Sequence, residues 1–414
     1  MINSLKPDPE RKNFIVNVVE GGMFMAGSTF ISVQTVLPAM VLDLGGSNVA
    51  VGSLGVLAWS GLFFPQIFAA RYFESSPWKK PWAMRLGLLQ RIILGLIAGT
   101  LFLFGANDSA AALTLFLILY ALMHVVLGLT VPAWFDLVAK VTPLRRRGRL
   151  AGYRSSLAGM MGFGCSFALT WILVSFPSPV KYTLVFSVAF FLQAVSIWIQ
   201  SGLVELEPSP ILEKKPLREF LSEILDLLRS NRSFRNFIVA TVFLVLATIS
   251  VTFFPVYAIQ KFGADASIAG EFTMVMVASQ VISAPAMGFL ADRFGNKLTL
   301  ISAATALLAA AVCAILAPSM AMFHIVFAFL GINVGSEIMA RYNIAVEFSL
   351  DQRRAIHLGL MNALLAPFYG IGLFGGWLSD RVSYEAVFVA GALCSCIGIV
   401  MMMIAVKEPR IHVV

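Results

Sequence analysis

Asn333, Glu337 and Arg341 stand four apart in an otherwise apolar run from 319 to 348, a spacing that puts them on one face of a helix. Glu337 can close on Arg341 along that face, or Arg341 can reach elsewhere and leave Glu337 facing a cavity. A second polar line opens the chain, where Asn13, Asn17, Glu20, Phe24, Gly27, Ile31 and Gln34 recur at spacings of four and three. Glu20 then lies about 9 Å inside its segment, at 1.5 Å per residue. Ionisable groups in such runs are costly, so each is a functional candidate. Glu20 reads either as a proton- or solute-handling carboxylate or as a fixed ion pair that anchors its helix; Gly21-Gly22 beside it permits close packing. His124 is titratable or simply a neutral, hydrogen-bonded packing residue. Mid-segment Gln280, Asn362 and Tyr369 suit hydrogen bonding in a cavity, while Trp59 and Trp134 suit cavity walls or packing. Arg91 is expected to snorkel toward the inner head groups, and Glu271 to be solvated near the outer surface.

The elements that must hold these groups are membrane helices. Of 414 residues 59% are hydrophobic and 13% charged, with mean hydropathy +0.85, against about a quarter charged in soluble domains. A spanning helix needs about 20 mainly apolar residues. On that ruler the spans are 14–41, 48–70, 83–105, 109–139, 150–175 and 181–202, then 236–260, 267–291, 298–317, 319–348, 355–378 and 384–406. The fold class is therefore an all-α integral membrane protein of 12 transmembrane helices. A β-barrel is excluded, because barrel strands are short and alternate in polarity. The polar opening MINSLKPDPERK is unlike a cleavable signal, so the first span is expected to serve as the insertion signal.

The net charge of +8 does not point to nucleic acid. On the proposed inner side lie 24 of the 30 Lys and Arg residues; Lys181, Lys261 and Arg381 lie outside, and Arg91, Arg154 and Arg341 fall within spans. That is the positive-inside pattern, which puts both termini in the cytoplasm and the chain in the cytoplasmic membrane. All four cysteines sit in apolar segments, so no disulfide, metal site or cofactor is expected. The triplets Asn107-Asp-Ser and Asn231-Arg-Ser do not support glycosylation.

The polar stretch 205–235 divides the spans six and six. Three domains follow: 1–203, a six-helix bundle; 204–235, a linker; and 236–414, a second six-helix bundle. Within the linker, Leu217, Phe220, Leu221, Ile224, Leu225 and Leu228 recur at helical spacing opposite charged residues, as in an amphipathic helix on the inner leaflet. The halves echo one another: Asn13-Phe-Ile-Val16 matches Asn236-Phe-Ile-Val239, Arg71-Tyr72 matches Arg293-Phe294, and Arg146-Arg147, Gly152 and Leu157 match Arg353-Arg354, Gly359 and Leu364.

Between the eighth and ninth spans sits Gly288-Phe-Leu-Ala-Asp-Arg-Phe-Gly-Asn-Lys297. Its pattern, G-x-x-x-D-R-x-G-x-K between two long apolar segments, resembles the signature loop of the major facilitator superfamily of secondary transporters. The resemblance implies two pseudo-symmetric six-helix bundles with a solute site near the midplane. It also implies a cytoplasmic gate in which Gly288, Asp292, Arg293 and Gly295 take part, with Arg341 as a partner of Asp292. Asp136 and Arg154 resemble the corresponding pair of the first half, together with Arg71; Ala70 replaces the carboxylate there, so an asymmetric lock is expected. Leu122-Met-His-Val-Val-Leu-Gly128 is similar to the family's R-x-x-x-G element with His124 in place of Arg. The stretch Gly159-Met-Met-Gly162-Phe-Gly164 lacks the proline of the export antiporters.

The sequence contains no G-x-x-x-x-G-K-[ST], H-E-x-x-H or G-x-S-x-G motif, so an enzyme is not expected. The expectation is a monomeric, proton-coupled transporter of a small solute, with Glu20, His124, Glu337, Asn17, Gln34, Gln280, Asn333, Asn362 and Tyr369 as candidate proton and solute groups. Export is favoured by 34 Phe and 18 Met. Uptake by symport is the alternative, and a receptor of the same fold without net transport is the alternative of another class.

Overall fold

The computed structural model describes residues 9–74, 76–209, 231–348 and 354–408; side chains at 67, 70, 71, 74 and 354–357 are outside that description. The amphipathic helix expected over 217–228 and the side chain of Arg71 therefore lie outside the described residues. Helices α1 (Pro9–Phe30), α2 (Val36–Asp43), α3 (Asn48–Glu74), α4 (Lys80–Phe104), α5 (Ser109–Val141), α6 (Arg147–Ser175) and α7 (Val180–Gln200) precede the linker. After it come α8 (Arg232–Ala247), α9 (Phe253–Phe262), α10 (Ile268–Phe294), α11 (Asn296–Leu316), α12 (Met320–Glu347), α13 (Arg354–Leu365), α14 (Ile371–Arg381) and α15 (Tyr384–Ala405).

Among the described residues, eleven helical stretches are long and apolar enough to cross a membrane. The remaining expected span, the first, is α1 followed by α2. At some helix starts a side chain caps the orphan N–H groups. Asp108 accepts from the Ala111 N–H at 2.9 Å and Asn231 from Phe234 at 2.9 Å. The second of the two Asn-x-Ser triplets is thus a helix cap.

Three spans are broken where continuous helices were expected. The first unwinds between Phe30 and Val36, and the seventh and eleventh tighten into 3₁₀ turns at Thr248–Ser250 and Ala366–Gly370. Pro367 explains the last, since its ring removes one helical hydrogen bond and crowds the preceding turn. Non-helical backbone at membrane depth is tolerated where protein or a cavity surrounds it.

By packing, the chain forms two units, Met1–Ile31 with Pro65–Lys214, and Ser32–Phe64 with Lys215–Val414. The six-and-six division proposed above follows chain order. The packing boundaries fall instead at two weak points of helices, the break after Phe30 and Pro65 inside α3.

In the first unit α1 packs on α6 and α7, and α4 on α5 and α7. A small core of Ala69, Phe73, Ala83, Ala133, Leu137 and Leu203 closes one end. There Glu205 accepts from Lys140 Nζ at 2.8 Å and from the backbone N–H groups of Lys79 and Lys80 at 2.9 and 3.0 Å. Burial pushes the Glu205 carboxyl up, but these three donors and the lysine charge outweigh it and hold it below the usual carboxylate range. In the second unit α11 packs on α12 and α15, α10 on α12, and α8 on α15, around Phe234, Phe237, Leu300, Ile344, Met361 and Met402.

The internal repeat has a structural meaning. Asn13 donates to the Val204 carbonyl at 2.9 Å and accepts from the Val204 N–H at 2.8 Å, which ties the start of the first span to the chain leaving the sixth. Its counterpart Asn236 donates to the Ala405 carbonyl at 2.9 Å, at the end of the last span. The same residue, in the same place of each repeat, fastens the first helix to the sixth.

Candidate functional site: a buried charge pair between two cavities

The four-residue spacing on α12 has the geometry of an intrahelical pair. Arg341 Nη1 lies 3.2 Å from Glu337 Oε1, and the same nitrogen donates to the Tyr369 hydroxyl at 3.2 Å. Arg341 is 1% exposed, while the Glu337 side chain keeps 20% of its surface. Of the two arrangements open to Arg341, the one in which it reaches Asp292 is not found. Helix geometry decides this: four residues bring Glu337 alongside Arg341 at once, whereas Asp292 sits exposed in the last turn of α10.

Two cavities flank the pair. The larger, about 100 Å³, is lined by Gln34, Trp59, Thr252, Asn333, Glu337 and Tyr369 among others. The smaller, about 40 Å³, is lined by Arg341 and Ser395 with Leu244, Val245, Ala304 and Leu307. Thr248, Asn333, Glu337 and Tyr369 line both and so form the partition. Each broken span contributes to the larger cavity: Val33 and Gln34 from the first, Thr248, Val251 and Thr252 from the seventh, Tyr369 from the eleventh. Trp59 and Tyr369 stack at 5.8 Å between ring centres, interplanar angle 25°, and Phe63 closes on Tyr369 at 5.7 Å. Asn333 is held by donating to the Ala303 carbonyl at 2.8 Å.

The sequence-derived candidates thus divide. Gln34, Asn333, Glu337 and Tyr369 meet at the larger cavity. Gln34 arrives there from beyond the break, so it does not continue the face of Glu20 as the spacing implied. Gln280 packs instead against Gly335, and Asn362 donates to the Tyr342 hydroxyl at 3.1 Å. Glu20, Asn17 and His124 belong to the other unit and line neither cavity.

Glu20 is a fully engaged ion-pair partner. Its Oε2 meets Arg154 Nη1 at 2.7 Å, and its Oε1 accepts from Ser196 at 3.2 Å. Arg154 also donates to the Asn17 carbonyl at 2.9 Å and lies over the Trp134 ring at 4.6 Å. Gly21 makes this possible, because a Cβ there would overlap the Arg154 side chain. The expected Asp136–Arg154 pair is corrected accordingly: Arg154 turns inward to Glu20, and Asp136 meets Lys79 at 3.8 Å. Asn17 is 1% exposed, and its side-chain amide makes no hydrogen bond. His124 Nδ1 lies 3.0 Å from the Tyr120 carbonyl, which can only accept, so that nitrogen carries the proton. Arg91 does not snorkel. It is 5% exposed, donates to the carbonyls of Gly87 and Gln193, and covers the Phe24 ring. Glu271 is half-exposed and meets His324 at 3.1 Å.

In the signature loop, Gly295 is the glycine that the backbone requires, with φ +93° and Glu408 where a Cβ would go. Gly288 is inside α10 with open space beside it. Arg293 lies over Phe289 and Phe294, and Lys297 donates to the carbonyls of Met403 and Val406 at 3.2 and 2.7 Å.

Sequence reasoning missed Thr248, Thr252 and Ser395. The available signals were the polar, β-branched Thr248-Ile-Ser-Val-Thr252 in mid-span and the Pro367 break that sets Tyr369.

Residues 237–413 match the family model described as Major Facilitator Superfamily. No curated protein sequence matches the chain at a significant level. Among solved structures, a D-xylose–proton symporter superposes with TM-score 0.72 at 15% identity, covering 96% of this chain and 98% of that one. A nucleoside transporter gives 0.67 at 14%, covering 97% and 100%, and an E. coli fucose:proton symporter 0.58 at 15%, covering 95% and 98%.

Proposed function

Because this chain has the major facilitator fold and residues 237–413 carry that family's sequence pattern, we propose that it is a secondary transporter moving a small solute by alternating access, coupled to protons through Glu337. Members of that family carry solutes and are not enzymes. The carrying observation is the position of Glu337 in the partition between two cavities, paired with an arginine that has almost no solvent. Protonating Glu337 removes the counter-charge of Arg341, and a buried charge without a partner is strongly unfavourable. The guanidinium must then find another partner or the surrounding helices must repack. A two-state element biased by a proton is what coupling needs.

Two structural neighbours are named as proton symporters, which supports the same coupling here. The larger cavity mixes Gln34, Thr252, Asn333 and Glu337 with Trp59 and Tyr369, a lining suited to a solute with polar groups. It favours proton-driven uptake over the export that the Phe and Met content suggested. Asp292 and Arg293, at the end of α10, are assigned to a cytoplasmic lock. The two halves alternate in the cytoplasmic membrane, each molecule working as a monomer with both termini inside.

The test is transport in proteoliposomes with and without an imposed pH gradient, after a ligand-stabilisation screen. Gradient-dependent accumulation that disappears in Glu337→Gln, with solute counterflow retained, is the expected result. Accumulation indifferent to the gradient refutes the coupling. Binding without counterflow in the wild-type protein means a receptor.

A further inference from the structure

Arg341 uses one nitrogen of three. Its Nη1 serves both Glu337 and Tyr369, while Nε and Nη2 are buried and make no hydrogen bond. In a planar guanidinium the Nε–H and one Nη2–H point the same way, as the side-on fork that receives two oxygens of one carboxylate. Arginine donors left bare in a buried site cost free energy, so a partner is required. The smaller cavity, which Arg341 lines and whose partition includes Glu337 and Tyr369, is where one can sit.

The charge count selects the partner. Glu337 and Arg341 together are neutral, so an anion added on the free edge leaves one negative charge beside an arginine that is 1% exposed. If Glu337 takes up a proton, the carboxylate and guanidinium again sum to zero. A tetrahedral dianion such as phosphate would remain one charge in excess, and a neutral solute would leave the edge bare.

The titratable and charged groups around Glu337 are few. Arg341 and Tyr342 lie on α12 itself, and Tyr369 comes from the 3₁₀ turn of the eleventh span. The other helices bring Gln34, Trp59, Thr248, Gln280 and Ser395, none of which titrates.

Building on the transport function proposed above, we infer that the solute is a monocarboxylate whose carboxylate docks side-on against Nε and Nη2 of Arg341, and that it binds together with one proton on Glu337. The larger cavity receives the rest of the solute, and Tyr369 moves aside to join the two spaces. Solute and proton then cross in the same direction with no net charge moved through the site.

The experiment is binding to purified protein, read by thermal shift and calorimetry at pH 6 and pH 8, where the carboxylate probes stay ionised and phosphate passes from mainly monoanion to mainly dianion. The probes are acetate, lactate, benzoate and phenylacetate, each beside its primary amide, with inorganic phosphate as a further arm. The expected result is stabilisation by at least one carboxylate and not by its amide, about tenfold tighter at pH 6 than at pH 8. Glu337→Gln, which mimics the protonated acid, should bind that carboxylate with the pH dependence lost. Arg341→Lys keeps the charge and loses the fork, so it should lose binding. Should Arg341→Lys fail to fold, Glu337→Gln still decides, because it predicts retained binding. Equal response to carboxylate and amide, response to phosphate alone, or no response in either wild type or Glu337→Gln overturns the inference and leaves Nε and Nη2 to buried water. Carboxylate binding without transport in proteoliposomes would instead overturn the transport function and leave this site standing.

Discussion

Among the described residues, two glutamate–arginine pairs lie within membrane-spanning helices, and they differ in how each is held. In the first unit Glu20 and Arg154 join α1 to α6 at 2.7 Å, Ser196 takes the second carboxylate oxygen, and Trp134 covers the guanidinium. In the second, Glu337 and Arg341 share one helix at 3.2 Å, with two arginine donors unserved and a cavity on either side. The first arrangement is a cross-link: each helix is held by the other, and a change in protonation has no second partner to offer. The second is held within one helix, so its partners can exchange while the helix stays in place. Unfilled donors with a cavity beside them set the second pair apart from the first.

The sharpest test of this contrast exchanges each acid for its amide. Glu337→Gln should abolish gradient-driven transport while the protein still folds. Glu20→Gln should leave the pH dependence of transport in place and destabilise the protein by about 3 kcal/mol, as for a broken buried pair, read as a lowered unfolding temperature in detergent. Equal transport defects would end the distinction. Next in size, Tyr369→Phe takes the acceptor from Arg341 Nη1 and should alter solute affinity, whereas Ser196→Ala removes one donor to Glu20 and should cost about 1 kcal/mol with transport intact; both are read by binding and thermal unfolding. Asp292→Asn, in the last turn of α10, should slow transport more than Glu74→Gln at the end of α3, measured as initial rates. The smallest effect belongs to His124→Gln, which should leave the pH profile of transport unchanged, since His124 packs on Tyr120 and its carbonyl.

Much of this was legible in the residues. Span positions followed from apolar length, and the Asn13 and Asn236 repeat marked the equivalent starts of the two halves, though not the fastenings that these residues make. Asn333, Glu337 and Arg341 were identifiable as one face because helical spacing is local. The pairing of Arg154 was not, since Glu20 and Asp136 are both acidic candidates and only the packing of α1 on α6, with Gly21 making room, selects Glu20. The unwinding after Phe30 was also hidden. No proline marks residues 31–35, and the polar spacing continued through to Gln34 as if the helix did.

What the sequence by itself determined is the solvent, the number of spans and the cost of each intramembrane charge, because hydropathy and helical periodicity act over short stretches of chain. Which charges are satisfied, and by what, was decided by the tertiary structure. Glu337 faces cavities because three broken spans, far apart in sequence, bring Gln34, Thr248 and Tyr369 to the same place. A hydrogen bond is short and directional, so whether a buried donor finds its acceptor depends on ångström-scale placement that residue types alone do not specify.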